Sequence, residues 1–286
     1  MNTIIDESVS ETTPAQSAEA LEAYFSRSNG LIIAYSGGVD SALLAYVAHL
    51  VLGDQMLAAI ADSPSLARRE YRHALAFARD HGIPLRIVRT GEMEDPSYVA
   101  NEGDRCYYCK KALFETLEEL RLQLEGSLTE ETAWSLAYGV NLDDLGDHRP
   151  GIQAGREASI LSPYVELGID KQTIRAICTH YGLEIAEKPA MPCMSSRISY
   201  GEEVTVEKLS QVEKGEDTLY DLGFKVLRVR HHGDTARIEI PVEDIPLLLT
   251  HRDEIIKTFH DLGFIYVSLD LDGFKSGSLN AVLKST

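Results

Sequence analysis

The sequence has little positive charge. Its 27 lysine and arginine residues stand against 45 acidic residues, which gives a formal net charge of −18. This balance opposes binding to the phosphate backbone of nucleic acids and to anionic membrane surfaces. We therefore expect neither a nucleic acid nor a membrane among the partners of the protein.

Long apolar segments are also missing. The most apolar run, from Ser41 to Leu52, is too short to cross a bilayer and is typical of a buried helix. The first residues are acidic and rich in serine and threonine, without the basic start and apolar centre of a signal peptide. We expect residues 1–18 to form a disordered tail and the protein to be cytoplasmic.

Cysteine is scarce, with four residues in the chain. Disulfides are uncommon in the cytoplasm, so these thiols need another explanation. Cys178 shares a helical face with Ile174, Ile177 and Tyr181, and we predict that it is a core residue.

The other thiols lie in segments that we predict to be loops. Cys106 and Cys109 have C-x-x-C spacing at the entrance to a helix, and Cys193 follows two prolines. Structural zinc sites, iron–sulfur clusters and redox pairs share this pattern. Zinc would need a fourth ligand, and no histidine is adjacent to any of these cysteines. Unrelated buried thiols are the simpler alternative.

Strand-like and helix-like segments alternate through the first two thirds of the chain. The predicted strands are LIIAY, MLAAIAD, IPLRIVRT and WSLAYGV. Such alternation indicates an α/β fold, with a mostly parallel sheet and helices on both faces. Because ligands collect at the carboxyl ends of parallel strands, the residues to watch are Ser36, Asp62, Ser63, Asn141 and Asp144.

The pattern changes near Gly201. The following segments predict a helix, two strands joined by a Gly-Asp turn, a second helix and a last strand. We therefore expect residues 19–200 to form the α/β domain. Residues 201–286 would form a small C-terminal α+β domain for substrate binding or oligomerisation.

The segment SGGVDS joins the first predicted strand to an apolar helix. Ser36, Gly37 and Gly38 can turn sharply because glycine tolerates positive φ. The start of the helix presents unpaired backbone N–H groups to a bound anion. The Gly-Lys-Ser/Thr ending of a Walker loop is absent. The segment predicts a nucleotide phosphate site, with a plain turn as the simpler alternative.

Two further groups of polar residues suit phosphate chemistry. Arg228 and Arg230 share one face of a predicted strand, where they could hold a phosphate or carboxylate, although a solvated face has the same pattern. Asp143, Asp144 and Asp147 are turn formers by type, and one of them could ligate magnesium, with Asp144 the first candidate.

Six segments together closely resemble one family: SGGVDSALLA, RCYYCK, DDLGDHRPG, PCMSSRISYG, LRVRHHGDTARIEI and LDLDGFKSGSLN. The family is LarE, the PP-loop ATP pyrophosphatases that transfer sulfur in making the nickel-pincer nucleotide cofactor of lactate racemase. The resemblance runs from about Leu21 to Asn280. It implies that a carboxylate of pyridinium-3,5-biscarboxylic acid mononucleotide is adenylated, that pyrophosphate leaves, and that sulfur is inserted to give a thiocarboxylate.

The motif, the strand ends and the resemblance together define the expected site. Asp40 would bind magnesium or cap the helix, and Arg197 would steady the adenylate close to the catalytic Cys193. The residues expected to bind ATP and the substrate phosphate are Ser36, Gly37, Gly38, Asp40, Ser41, Ser63, Asn141, Asp144, Arg228 and Arg230.

The LarE family, which this sequence resembles, has two types of member that differ in the source of the sulfur. Members with one cysteine sacrifice its sulfur and are left with dehydroalanine, whereas members with three resemble enzymes in which the open iron of a [4Fe-4S] cluster carries a sulfide. Cys106, Cys109 and Cys193 match the second type. The resemblance thus implies ATP, Mg²⁺ and a [4Fe-4S] cluster, an unidentified sulfide donor, and a homo-oligomer with a hexamer as the candidate assembly.

Other functions share parts of this pattern. A tRNA thiolase of the PP-loop class is opposed by the acidic balance and by the absence of paired zinc knuckles. An amidating PP-loop enzyme that uses ammonia would not need the thiols. A non-catalytic nucleotide-binding protein with a zinc-stapled loop would bind ATP without releasing pyrophosphate.

Overall fold

The computed structural model describes residues 12–127, 133–146 and 150–275. Its strands are β1 (Leu31–Ala34), β2 (Met56–Ala61), β3 (Leu85–Val88), β4 (Ser135–Tyr138), β5 (Arg228–His232), β6 (Thr235–Glu239) and β7 (Tyr266–Leu269). Its helices are α1 (Pro14–Phe25), α2 (Val39–Leu52), α3 (Arg68–Asp80), α4 (Pro96–Val99), α5 (Arg105–Ser127), α6 (Pro150–Glu157), α7 (Pro163–Glu166), α8 (Lys171–His180), α9 (Val206–Asp221), α10 (Ile245–Thr250) and α11 (Arg252–Asp261).

The first sheet has the strand order β3-β2-β1-β4, and all of its pairings are parallel. Side chains of β1 alternate between two apolar cores. Leu31 and Ile33 pack with residues of α1, α2 and α8, whereas Ile32 and Ala34 pack with residues of α5 and α6. The predicted α/β fold with helices on both faces is confirmed, and the ends of β1, β2 and β4 meet at one edge of the sheet.

The second sheet has the order β5-β6-β7. Strands β5 and β6 are antiparallel, as predicted, and the Gly233-Asp234 turn joins them, while β7 pairs with β6 in parallel. The core of this sheet contains Val229 and Phe259 and also reaches back to Tyr98 and Met194. Because these two residues precede Gly201, the packing extends upstream of the predicted domain boundary, and the boundary itself stays a prediction.

Two predicted elements differ from the structure. Helix α1 begins at Pro14, and Thr13 and Gln16 form a capping box at its start, so residues 14–18 of the predicted disordered tail are helical. The single helix predicted after β6 is divided at His251, between α10 and α11. Along the described residues, no helix has both the length and the apolar character that a bilayer span requires.

Candidate active site

The turn between β1 and α2 has a backbone that only glycine can adopt without strain. Gly37 has φ +73°, and a Cβ at this position would lie 2.3 Å from the Cβ of Ala74. Ser36 N donates to Ser41 Oγ at 3.1 Å, and this hydroxyl lies 3.2 Å from the Gly38 carbonyl. Within the described residues, no side chain caps α2. The N–H groups of its first turn therefore remain available to an anion. We call residues 36–41 the phosphate turn.

The carboxylate of Asp40 contacts two side chains that are distant in the sequence. Lys171 Nζ lies 2.5 Å from Asp40 Oδ2, and Asn141 Nδ2 donates to Asp40 Oδ1 at 3.3 Å. The capping alternative for Asp40 is wrong, because Gly38 is the N-cap residue and no side-chain capping bond is present at this helix start. Lys171 was not predicted from the sequence. It places a cation beside the phosphate turn.

The loop after β4 lies against the start of α2. A Cβ on Gly139 would be 3.0 Å from the Ser41 backbone nitrogen, so this close approach favours glycine. Asn141 N donates to Asp144 Oδ2 at 3.1 Å, and Lys171 N donates to an oxygen of Asp143. Asp144 thus acts as a turn former within its loop, whereas Asp143 links the loop to the start of α8, and magnesium binding by Asp144 stays a prediction. Asp147 lies outside the described residues.

A second cation, also not predicted from the sequence, lies at the phosphate turn. Lys188 Nζ donates to the Gly37 carbonyl at 2.8 Å and lies 2.7 Å from Glu70 Oε2 on α3. Lys188 begins a segment, residues 188–197, that we call the linking segment. Farther along it, Met194 N donates to the Ser65 carbonyl at 2.8 Å. The linking segment therefore runs from the phosphate turn to Cys193.

Arg228 and Arg230 lie on one face of β5, as predicted, and both are buried. Arg230 donates to Glu239 Oε2 and to the carbonyl of Ser196 in the linking segment. Arg228 lies 5.2 Å from the ring of Phe274. Among the described residues, none places a carboxylate within 4 Å of Arg228, and burial lowers its pKa. In the described part of the chain, Arg230 is paired with Glu239, whereas no carboxylate within ion-pair distance neutralises Arg228. Arg228 is therefore the better candidate for an anionic ligand, and phosphate binding by either arginine stays a prediction.

Arg197 supports the backbone around Cys193. Its side chain is 1% exposed and donates two hydrogen bonds to the carboxylate of Glu216 on α9, at 2.9 and 3.1 Å. The same guanidinium donates to the carbonyls of Pro192 and Cys193. This geometry makes Arg197 a positioning residue for the cysteine. Its contact with an adenylate stays a prediction.

Replacing Arg197 with methionine is expected to lower the free energy of unfolding by about 3–5 kcal/mol, because Glu216 is left buried without a counterion. Urea unfolding followed by circular dichroism measures this loss. The control is Arg121→Met, which removes ion pairs with Glu118 and Glu125 on α5 and should cost about 1 kcal/mol or less. Equal losses in the two variants would contradict the buried-pair interpretation.

The cysteines differ in exposure. Cys178 is fully buried, which confirms its prediction as a core residue. Cys106 and Cys193 are exposed, and Cys109 is partly buried. Cys106 and Cys109 lie on the first turns of α5, so the loop predicted for them is already helical, and Cys193 caps a short 3₁₀ turn, Met194–Arg197.

The three accessible thiols influence one another. Burial raises the pKa of Cys109 to about 12, and the charges of Cys193 and Cys106 contribute to the shift. Although Cys106 is exposed at the surface, desolvation by the surrounding protein atoms, followed by the charge of Cys193, raises the pKa of its thiol. Within the described ranges, however, no three histidine, cysteine or acidic side chains are gathered closely enough to hold a metal ion. The cysteines supply donors of the type that an iron–sulfur cluster uses, but the described residues do not bring them together as a metal-binding group, and the cluster stays a prediction.

A buried polar clamp joins the start of α5 to the chain beyond Cys193. Arg105 donates to the Ser195 carbonyl at 2.8 Å and to the side chain of Asn101. Asn101, in the left-handed region at φ 56°, donates in turn to the carbonyls of Ser199 and Glu202. The clamp, which was not predicted from the sequence, fixes the C-x-x-C pair relative to Cys193.

Comparison with known proteins identifies relatives of this chain. A family model described as NAD synthase matches residues 16–100, which include the phosphate turn. An uncharacterized protein of Synechocystis sp. is 46% identical over 93% of this chain and 97% of its own length. Pyridinium-3,5-bisthiocarboxylic acid mononucleotide synthase of Lactiplantibacillus plantarum is 34% identical over 88% of this chain and 89% of its own. A glutamine-hydrolyzing GMP synthase component from Thermoplasma acidophilum is 25% identical over 64% of this chain and 61% of its own.

Proposed function

The chain belongs to the PP-loop ATP pyrophosphatases and, within them, to the family of pyridinium-3,5-bisthiocarboxylic acid mononucleotide synthase, the LarE family; on this premise we propose that it is an ATP-dependent sulfur transferase. Its substrate would be pyridinium-3,5-biscarboxylic acid mononucleotide. One carboxylate is adenylated, pyrophosphate leaves, and sulfur then displaces AMP to give the thiocarboxylate that the nickel-pincer cofactor of lactate racemase requires.

The activation half of the reaction is assigned to the phosphate turn. A carboxylate is a poor electrophile because its charge repels nucleophiles, and adenylation removes that charge and adds a good leaving group. The N–H groups at the start of α2 and the side chains of Ser36 and Ser41 would hold the departing pyrophosphate. Lys171 and Lys188, the two cations at the turn, would neutralise its charge.

Magnesium would be held by Asp40, by Asp144, or by both. Mg²⁺ is commonly bound through one or two carboxylates together with the phosphates of the substrate. Both oxygens of Asp40 are already in contact with Lys171 and Asn141, so metal binding would displace Lys171. The released ammonium group would then be free to contact phosphate.

The sulfur half is assigned to Cys106, Cys109 and Cys193. We propose that these cysteines hold a [4Fe-4S] cluster. Held by these three cysteines, such a cluster would supply an iron site that could carry a sulfide. Arg105 and Asn101 would hold the start of α5, with Cys106 and Cys109, at a fixed position relative to Cys193. Arg197 would hold the carbonyl of Cys193.

One observation carries the proposal: the linking segment touches the phosphate turn at Lys188 and carries Cys193 a few residues later. A carboxylate activated beside the turn would therefore lie near the sulfur donor. Arg228 and Arg230 both contact this segment, at Ala190 and Ser196 respectively. They flank the space between the two half-sites, where a substrate phosphate could bind.

The proposal is tested with the protein purified without oxygen and supplied with ATP, Mg²⁺ and the biscarboxylate mononucleotide. We expect substrate-dependent pyrophosphate release and a product in which one oxygen is replaced by sulfur, detected by mass spectrometry. ATP binding without pyrophosphate release would contradict the proposal and favour a nucleotide-binding protein. Thiolation of tRNA in place of the mononucleotide would favour the tRNA thiolase.

A further inference from the structure

A chain of buried hydroxyl groups connects an acidic side chain to the sulfur half of the site. We call Ser63, Ser65, Tyr98 and Ser195 the hydroxyl chain. Ser63 Oγ lies 2.9 Å from Ser65 Oγ, Ser65 Oγ lies 2.8 Å from Tyr98 OH, and Tyr98 OH lies 2.6 Å from Ser195 Oγ. At its far end, Ser63 Oγ donates to Oε1 of Glu92.

Glu92 is poorly neutralised for a buried acid. Its side chain is almost fully buried, and its Oε2 is buried without a hydrogen-bond partner within the described part of the chain. No lysine, arginine or histidine of the described residues lies within ion-pair distance of it. The carboxylate of Glu92 therefore has acceptor capacity left at the end of the hydroxyl chain.

The other end of the hydroxyl chain lies in the short 3₁₀ turn that directly follows the proposed sulfur donor, Cys193. Ser195 is two residues beyond Cys193, and the Met194 backbone between them is bonded to Ser65, a member of the chain. Tyr98 also shares an apolar core with Met194, the residue next to Cys193. Burial, followed by the charge of Cys193, raises the pKa of Tyr98. Each hydroxyl of the chain is buried, so bulk water does not interrupt it.

One proton sets the direction of every hydrogen bond in this chain. When Glu92 is ionised, Ser63 must donate to it, so Ser65 donates to Ser63, Tyr98 to Ser65, and Ser195 to Tyr98. Ser195 Oγ then has only acceptor capacity left. When Glu92 carries a proton and donates to Ser63, all the bonds reverse, and the Ser195 hydroxyl becomes a donor.

We propose that Glu92 and the hydroxyl chain form a proton relay for the sulfur-transfer step; this inference rests on the proposed function. As the sulfur of a hydrosulfide attacks the acyl adenylate, the C–S bond forms and AMP leaves with the electron pair of the C–O bond. The S–H proton passes to Ser195, each hydroxyl hands its own proton to the next, and Glu92 receives the last one. The relay resets when that proton returns to solvent between turnovers.

The relay is tested with Glu92→Gln, which keeps the shape of the side chain but removes the proton acceptor, and with Tyr98→Phe, which removes one link. In single-turnover assays, both variants should release pyrophosphate at the wild-type rate and form the thiocarboxylate about 100-fold more slowly. The double variant should be no slower than the worse single variant, because the residues act as a unit. Infrared difference spectra of the wild type should show a protonated carboxyl band after one turnover, and Glu92→Gln should lack it.

Two matched controls separate the relay from packing effects. Glu94→Gln changes an exposed acid in the same 3₁₀ turn, and Tyr181→Phe removes a hydroxyl that donates to Glu22 elsewhere in the fold. Both controls should match the wild type. The relay is overturned if Glu92→Gln and Tyr98→Phe form the thiocarboxylate at the wild-type rate, or if both half-reactions fall together with thermal stability. A wild type that makes no thiocarboxylate would overturn the proposed function and the relay with it.

Discussion

Replacing Gly37 with alanine is expected to reduce ATP-dependent pyrophosphate release by a factor of about 10²–10³. The new Cβ would lie 2.3 Å from the Cβ of Ala74 and 3.0 Å from its Cα, and the backbone would be strained at φ +73°. The turn can accept alanine only by moving away from α3. Such a movement displaces the N–H groups that hold the phosphate, and the initial rate of pyrophosphate release measures the loss.

The control for this substitution is Gly182→Ala. Gly182 has a similar φ of +69°, but nothing lies within 4 Å of its added Cβ. Only backbone strain is introduced there, at a cost of about 1–2 kcal/mol in stability. We expect this variant to release pyrophosphate at the wild-type rate. If Gly37→Ala is as active as Gly182→Ala, the phosphate turn does not depend on close packing against α3.

The parts of this protein that could be predicted from sequence are those with a local pattern. The apolar strands and the SGGVDS turn lie within short windows, and the side chains at the ends of β1 and β4 follow from strand direction alone. The alternation of Arg228 and Arg230 with Val229 is a local pattern of the same kind. Each of these features depends on neighbours a few residues away.

The parts that were missed depend on contacts between distant segments. Lys171 and Asp40 lie far apart in the chain, and no local pattern pairs them. The burial of Arg197 was also not predicted, although the sequence position of its partner Glu216 could have indicated it. Glu216 lies on the buried face of α9, in line with Val212 and Leu219. An acid on an apolar helical stripe predicts a buried cation, because an unpaired buried charge is costly.

Replacing Cys193 with serine is expected to reduce thiocarboxylate formation by a factor of ~10² or more, while pyrophosphate release is retained. The sulfur half is lost because serine supplies no thiolate, whereas the phosphate turn is unchanged. Single-turnover assays that follow pyrophosphate and thiocarboxylate in the same sample measure the two halves. Cys178→Ala is the control, since this core thiol is fully buried, away from solvent. If Cys193→Ser lost pyrophosphate release as well as thiocarboxylate formation, the two steps would not depend on separate groups of residues.

The decisive comparison is between Cys193→Ser and Cys106→Ser. If the three thiols act as a set, each substitution should lose as much thiocarboxylate as the two together, and each should lower the bound iron and acid-labile sulfide after reconstitution. If Cys193 gives up its own sulfur, Cys106→Ser should still complete one turnover and leave dehydroalanine at position 193, which peptide mass spectrometry detects. Because Cys106 is exposed at the start of α5, its removal should leave the fold intact, so the two outcomes separate a renewable sulfur carrier from a consumed side chain.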